Sequence, residues 1–586
     1  MTAGILVVTL DGDEPGVRRA ERSLADQDLV CGFRFAWDGG EARVWQRAAQ
    51  ACAVESVTTA AGTACCVGPL WYRGRFGAQA LECLLDDARA NAGTGGPYID
   101  EAGLRGNFAA FLYVDGRGWL INDPLGFSRI YCSADRRLHS TSWLAARAYA
   151  GTAEIDDAAA IEYVLQGACH SDRTVARGVD KLPLGMGLDL SVRANWRRFQ
   201  EGLAPDADES TKFASIDEAV DHIAEVLRTS FREIAAAYSG RISAALSGGF
   251  DSRLIVAGLL GQGEVPRLFV YGGPGSEDVP IARQVAHAEG IPLRVVDKGL
   301  LNRALPSPDL GELVRCALFF DGLPNDGIDD PGADRSTRLE QHVDGSLALN
   351  GGGGEIFRNF FHLPDRSYRA LDLVRSFYRG FDSKVFRRST GLRDYEEAMA
   401  LSIARSLGLP DDSRSAGRSL QRGQIELAYP LFRCHHWMGL NNSVSLRYGD
   451  FSTPLVDLNT VRLSASLPID WKNAGALQCR LIAALHPGVA RHRSAYGFSF
   501  NEGPDARMRR SERLDCLRPV ALRPLIGSVR RRLQRDRVPA DLVRRYRQML
   551  PGEWRLDPLL DLERLPAAGA FERALSIEVV SRELAP

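Results

Sequence analysis

No stretch of the 586-residue chain reaches the roughly 18 apolar residues that a bilayer-spanning helix needs. The N-terminus, MTAGILVVTLDGDEP, has no basic segment and meets acid by Asp11, so it is not read as a secretory signal. Neither sign of charge is in excess: the formal net charge is -2, which gives no global argument for a nucleic acid or a membrane surface as partner. The cysteines lack a pattern. There are eleven, an odd number at irregular spacing, which argues for reduced thiols and a cytoplasmic location. Cys434, His435 and His436 are adjacent, but no second pair follows at zinc-like spacing, so RCHHWMGL reads as a helix packed on the core. No internal repeat and no long low-complexity tract is present.

What remains is the composition of an ordinary globular chain, 45% hydrophobic and 25% charged. Its length exceeds a single hydrophobic core and predicts two large domains. Residues 1–205 are strand-rich: GILVVTLD, CGFRFAW, FAAFLYVDG and GWLIND are short β-type runs bounded by Gly, Asp and Asn. The polar segment 203–212 reads as a linker. Apolar residues then recur at helical spacing over 213–237, and strands alternate with helices through ISAAL, SRLIVAGLL, RLFVYGG, EDVPIARQVAHAEG, PLRVVD and SLALNGGGG. That alternation predicts a doubly wound α/β domain with a parallel sheet over 206–505, its later part helical. Residues 506–586 form an arginine-rich helical extension whose charges are solvated helix faces or a dock for an acidic partner.

One junction carries chemistry. Residues 246–252 read LSGGFDS, between a strand and a helix. A glycine-rich turn there presents free backbone N–H groups at the positive end of a helix dipole, which is an anion site. A Walker A loop has a lysine after its glycines; this loop has Phe250, Asp251 and Ser252. An aspartate beside phosphates calls for a divalent cation between them, and Ser247 and Ser252 offer hydroxyl donors. The composition therefore suits Mg²⁺-pyrophosphate.

The S-G-G-x-D-S pattern resembles the pyrophosphatase loop of the N-type ATP pyrophosphatases. Three further segments, LRGNFAAFLYVDGRGWLINDPLGFSRIYCS (104–133), SDRTVARGVDKLPLGMGLDL (171–190) and DFSTPLVD (450–457), resemble the asparagine synthetase-like family. That family includes glutamine-dependent asparagine synthetase, β-lactam synthetase and lasso-peptide cyclases. The resemblance implies an N-terminal glutaminase-like αββα sandwich of the Ntn type, then a parallel-sheet ATP pyrophosphatase domain. It implies ATP and Mg²⁺ as cofactors and amide formation through an acyl-adenylate, with a small-molecule or peptide carboxylate and an amine as substrates. Leu246, Ser247, Gly248, Gly249, Asp251 and Ser252, with Gly352 and Gly353 of a second loop, are the expected ATP and pyrophosphate contacts. Asp251 and Glu355 are the expected metal ligands, and Asp450, Arg493 and Tyr496 the expected catalytic residues.

The departures are specific. Position 2 is Thr2 where the family's glutaminases carry a nucleophilic cysteine, so a scaffold that makes no ammonia is expected. In Asn350-Gly351-Gly352-Gly353-Gly354-Glu355, Gly354 stands where the family has a metal-binding aspartate; the run is a phosphate loop or only a tight turn. The segment Arg491–Phe498 has no lysine, leaving Arg493 for charge and Tyr496 or His492 for proton movement, or for structure alone. Asp450 aligns with a glutamate that would orient or deprotonate the amine, unless it caps a helix. Asp278, with Ser276 and Glu277, matches a second phosphate-side helix or simply caps it. These features point to a specialised ligase, such as one forming a lactam or a macrolactam. A glutamine-dependent amidotransferase and a non-catalytic nucleotide- or partner-binding protein are the alternatives.

Overall fold

The computed structural model describes residues 2–48, 54–90, 99–190, 195–198, 213–410, 412, 414–527 and 538–584. The linker expected at 203–212 lies outside them. No helix among them is long and apolar enough to cross a membrane, and their cysteines are free thiols.

The period-two runs of the first part form strands: β1 (Ile5–Leu10), β2 (Leu29–Trp37), β3 (Gly40–Arg47), β4 (Ser56–Thr59), β5 (Gly62–Val67), β6 (Leu70–Tyr72), β7 (Arg75–Phe76), β8 (Leu104–Gly106), β9 (Ala109–Val114), β10 (Arg117–Asn122), β11 (Tyr131–Ser133), β12 (Leu138–Ser140), β13 (Val179–Lys181), β14 (Met186–Asp189) and β15 (Asn195–Arg198). Two six-stranded antiparallel sheets result, ordered β13-β11-β12-β1-β3-β2 and β15-β14-β10-β9-β5-β4, with a small β7-β6-β8 sheet beside them. In β3, alternate residues from Gly40 to Gln46 are buried, as a half-covered strand requires. Leu6, Val8, Ala42 and Val44 of the first sheet meet Val67, Phe111, Leu120 and Leu188 of the second, which seals the two faces together. Outside the first sheet, α1 (Glu14–Ala25) packs against α3 (Trp143–Ala150); outside the second, α2 (Ala78–Ala90) sets Leu81, Leu84 and Leu85 against Ala64, Ala110 and Leu112. Four layers, αββα, make up this unit. Helix α4 (Asp157–Gln166) closes it.

Helix α5 (Ile216–Tyr238) opens the second unit. Its Ser215 side chain accepts from Glu218 N–H, Asp217 and Glu218 complement the dipole, and one face buries Ile223, Leu227, Phe231 and Ile234. Then come β16 (Ile242–Ala245), α6 (Phe250–Leu260), β17 (Arg267–Tyr271), α7 (Asp278–Ala288), β18 (Leu293–Val296) and β19 (Leu347–Leu349). A ribbon of β20 (Tyr368–Arg369) and β21 (Ser419–Leu420) follows, and β22 (Phe451–Ser452) completes the main sheet. The order is β18-β17-β16-β19-β22, all parallel. The chain winds outward from β16 to β18, returns to the other side of β16 as β19, and ends on β22. The switch point of this doubly wound sheet thus lies between β16 and β19, and in such sheets ligands bind outside the carboxyl ends of the strands at that point.

The arginine-rich end does not stand apart. Its helix Ala568–Glu583 buries Phe571, Leu575, Ile577 and Val579 and packs against α4, with Arg573 donating to Val164 O at 2.8 Å. The two units share polar contacts that are buried or partly buried. Thr453 N–H donates to Asn107 Oδ1 at 2.9 Å, Ser142 Oγ to Asp321 Oδ1 at 2.6 Å, and Arg105 pairs with Glu233 at 2.7 Å.

Candidate functional site

The loop Leu246–Gly249 leaves the carboxyl end of β16, the central strand, and α6 begins at Phe250. Gly249 is the N-cap and makes no side-chain cap bond. The first-turn N–H groups of α6 therefore lack a side-chain cap and face the switch point with the helix dipole behind them. Hydrogen bonds shape the loop from within. Ser247 N–H donates to Ser252 Oγ at 3.0 Å, the two hydroxyls lie 2.8 Å apart, and Gly249 N–H donates to Ser247 Oγ at 3.2 Å. Gly248 N–H donates to Asp278 Oδ1 at 2.7 Å, which ties the start of α7 to the loop.

The second glycine loop follows β19, on the other side of the switch point. A side chain at Gly351 would stand 2.9 Å from the Asp251 backbone carbon, and one at Gly354 would stand 2.4 Å from Asp251 Oδ1. The glycine run lets this loop lie directly on the start of α6. Gly352 N–H donates to Asn350 Oδ1 at 2.9 Å, and Gly353 N–H to Glu355 Oε2 at 3.1 Å.

A hairpin turn over residues 493–499 covers the loop. Ala495 N–H donates to Gly248 O at 3.0 Å, and Arg493 bridges to Ser499. The turn is held from below by Arg253 of α6, whose buried guanidinium donates to the carbonyls of His492 (2.7 Å) and Arg493. Burial lowers the Arg253 pKa to about 10, still protonated at neutral pH. The Tyr496 ring lies 4.6 Å from that of Phe250, centroid to centroid, and Phe250 stacks at 4.8 Å on Phe500. Burial pushes the Tyr496 hydroxyl up, so it stays protonated.

The structure brings the predicted residues Leu246, Ser247, Gly248, Gly249, Asp251, Ser252, Gly352, Gly353, Glu355 and Tyr496 to one end of the sheet, with Arg493 on the covering turn, its side chain exposed. It does not bring Asp450 there. Asp450 precedes β22 and so lies at the opposite, amino end of the parallel strands, 2% exposed. Its Oδ1 accepts from Thr2 N–H at 2.8 Å and Thr2 Oγ1 at 2.5 Å, and its Oδ2 from Tyr238 OH at 3.0 Å. Asp450 is a buried acceptor at the junction of the two units, and Thr2, 3% exposed, donates both its N–H and its hydroxyl to it.

The carboxylates expected to hold Mg²⁺ are engaged elsewhere. Arg358 Nη2 lies 2.9 and 3.2 Å from the two oxygens of Asp251 and 3.4 Å from Glu355 Oε1. Gln478 Nε2 donates to Asp251 Oδ1 at 2.7 Å, and Tyr429 OH to Glu355 Oε2 at 2.6 Å. Burial pushes the Asp251 pKa upward, against the pull of Arg358. Burial opposes the charge on Arg358, but Asp251 and Glu355 outweigh it and raise its pKa. Gly354 contributes no ligand, and no group of three or more His, Cys, Asp or Glu suited to a metal occurs among the described residues. Two carboxylates sharing one guanidinium do not fit a preformed divalent-cation site, which draws on oxygen ligands with free lone pairs.

Sequence reasoning missed Arg358, Gln478 and Arg253. Arg358 had a signal, since it follows Glu355 by three residues, a spacing that pairs side chains on one turn. Gln478 and Arg253 had none. His435 and His436 are buried in a π-helical segment, Tyr429–Met438, and pack as the sequence suggested. Beside the site, a cleft of about 830 Å³ is lined by Asn359, Phe500, Arg509 and Arg513 together with Asp470 and Glu502, so its charges are mixed rather than basic.

No protein-family model matches the chain, and no curated protein matches it. Among solved structures, the glutamine phosphoribosylpyrophosphate (PRPP) amidotransferase from B. subtilis complexed with ADP and GMP is similar at 12% identity. That likeness covers 52% of this chain and 69% of that one, with a TM-score of 0.21, too low to carry fold or activity across.

Proposed function

We propose that the chain is an ATP-dependent amide-bond-forming ligase of the asparagine synthetase-like kind, acting in specialised biosynthesis such as lactam or macrolactam formation. One observation carries the reading: S-G-G-F-D-S sits at the switch point of a parallel sheet, its helix start without a side-chain cap and a second glycine loop laid against it. In this account a substrate carboxylate oxygen attacks the α-phosphorus of ATP. The bond from that phosphorus to the α–β bridging oxygen breaks, and pyrophosphate leaves with the electron pair. Its negative charge faces the first-turn N–H groups of α6 and the hydroxyls of Ser247 and Ser252. An amine then attacks the acyl carbon, loses a proton, and displaces AMP. Positioning and preorganised dipoles supply the rate gain. Asp450 has no part in the amine step, given its place at the far end of the sheet. Ammonia drawn from glutamine is not favoured, because the Thr2 hydroxyl is enclosed.

A second reading has its own support. Asp278 already occupies the Gly248 N–H, and Arg358 already neutralises Asp251, which suits a protein that binds a nucleotide or a partner without chemistry. ATP–pyrophosphate exchange with pooled carboxylic acids and peptides separates the two. The ligase reading predicts exchange that depends on one pool and is lost in Asp251→Asn. Absence of exchange in every pool, with ATP binding unaltered by Asp251→Asn, would leave the non-catalytic reading in its place.

A further inference from the structure

Arg358 stands out because every contact around it fixes a positive charge at one point. Its Nη2 reaches both oxygens of Asp251 and one of Glu355. Its guanidinium carbon lies 5.3 Å from the centroid of the Phe250 ring, a favourable place for a cation. That ring is itself wedged against Phe500 and Tyr496 and closed behind by Gly475, where a side chain would stand 2.6 Å from it. Asp251 Oδ1 receives N–H groups from both Arg358 and Gln478, which occupies the lone pairs a metal would use. At Gly354 the backbone approaches so closely that a carboxylate there would collide with Asp251. Arg358 Nε is buried without a hydrogen-bond partner, as is Nε of Arg253.

We infer that Arg358 is the built-in cation of the loop: its guanidinium takes the place between Asp251 and Glu355 that a divalent metal would fill, and phosphate groups bind here without a metal held by those carboxylates. Asp251, Glu355 and Arg358 together carry a net charge of -1, two carboxylates less one guanidinium; Arg358 offsets one of the two carboxylate charges that would otherwise repel an anion, and the attraction itself comes from the α6 N-terminus. Any Mg²⁺ that arrives with ATP stays on its phosphates. The ligand part of this inference rests on the nucleotide reading above; the claim about the cation does not.

The two parts are tested separately. Mn²⁺ alone is titrated into the full-length protein and free Mn²⁺ is followed by electron paramagnetic resonance. Wild type is expected to show no site that Asp251→Asn removes. Arg358→Gln is expected to gain one at least tenfold tighter than any in wild type, lost again when Asp251→Asn is added. A wild-type Mn²⁺ site abolished by Asp251→Asn overturns the inference. Should Arg358→Gln fail to fold, as judged by its thermal melt, the wild type and Asp251→Asn comparison still decides the point. Calorimetric titration with ATP forms the second arm. Wild-type affinity is expected to change less than threefold between EDTA and Mg²⁺, and Arg358→Gln to bind at least tenfold more weakly in EDTA. Equal ATP affinity of wild type and Arg358→Gln in EDTA overturns the ligand part. No ATP binding by wild type in either buffer counts against the nucleotide reading, while the Mn²⁺ arm still judges Arg358.

Discussion

Gly354 shows how one missing side chain reorganises a site. With no β-carbon at this position, the backbone closes on Asp251, and Arg358 pairs with that carboxylate. Gly354→Ala places a carbon 2.4 Å from Asp251 Oδ1 and 2.9 Å from Gln478 Nε2. Overpacking of this kind costs about 1–3 kcal/mol, so the variant should melt at a lower temperature and lose free energy of unfolding in urea. Unchanged stability would mean that the two loops have room to part. The glycine at 354, where the resembled family has an aspartate, is visible in the sequence; the Arg358–Glu355 pair was missed, although the two residues stand one turn apart. That Arg358 also spans to Asp251, 107 positions earlier, is not visible there. Contacts between distant segments depend on how loops approach, which no local pattern encodes.

Elements were more legible than contacts. The alternation of strand and helix from Ile242 onward, and the period-two strands before it, follow from burial on one face or two, so local sequence carries them. The loop at 246–252 was legible for a similar reason: its chemistry is contiguous. Asp450 was misplaced because its strand is only Phe451–Ser452. Matching DFSTPLVD to a family motif says that the segment belongs to the sheet, but not which end of a two-residue strand an aspartate occupies. A step of three residues there, from 453 to 450, moves a carboxylate from the ligand end to the buried end. The segment Arg491–Phe498 is legible as relevant, yet nothing in the sequence marks Arg253 as the anchor of its turn. The structure shows it 0% exposed and holding two carbonyls of that turn.

At the scale of the whole molecule, the two units are joined by polar groups that water does not reach. His435 Nδ1 pairs with Leu125 O at 2.9 Å, and Lys181 Nζ lies 3.2 Å from His436 Nδ1. Burial lowers the His435 pKa from 6.5 to about 3. Between those values the unfolded chain binds a proton that the folded chain refuses. The stability contributed by a neutral His435 is therefore complete above about pH 6.5 and is lost as the pH falls toward 3. His435→Asn should flatten this acid limb by up to about 1.4 kcal/mol per pH unit, measured as urea unfolding at pH 6.5, 5.5 and 4.5. An equal slope in both proteins would show that the junction does not hold His435 neutral. What the joined molecule is for rests on the loop at the switch point, and Gly249 allows that to be tested without breaking the fold. A β-carbon there meets nothing closer than Ser247 Oγ at 3.5 Å and Tyr496 OH at 3.9 Å, so a larger side chain enters the space assigned to phosphate. The decisive measurement is calorimetric titration of pyrophosphate and ATP into wild type and Gly249→Val. The account predicts at least a thirtyfold loss of affinity for both at an unchanged melting temperature; equal affinity in the two proteins would contradict it.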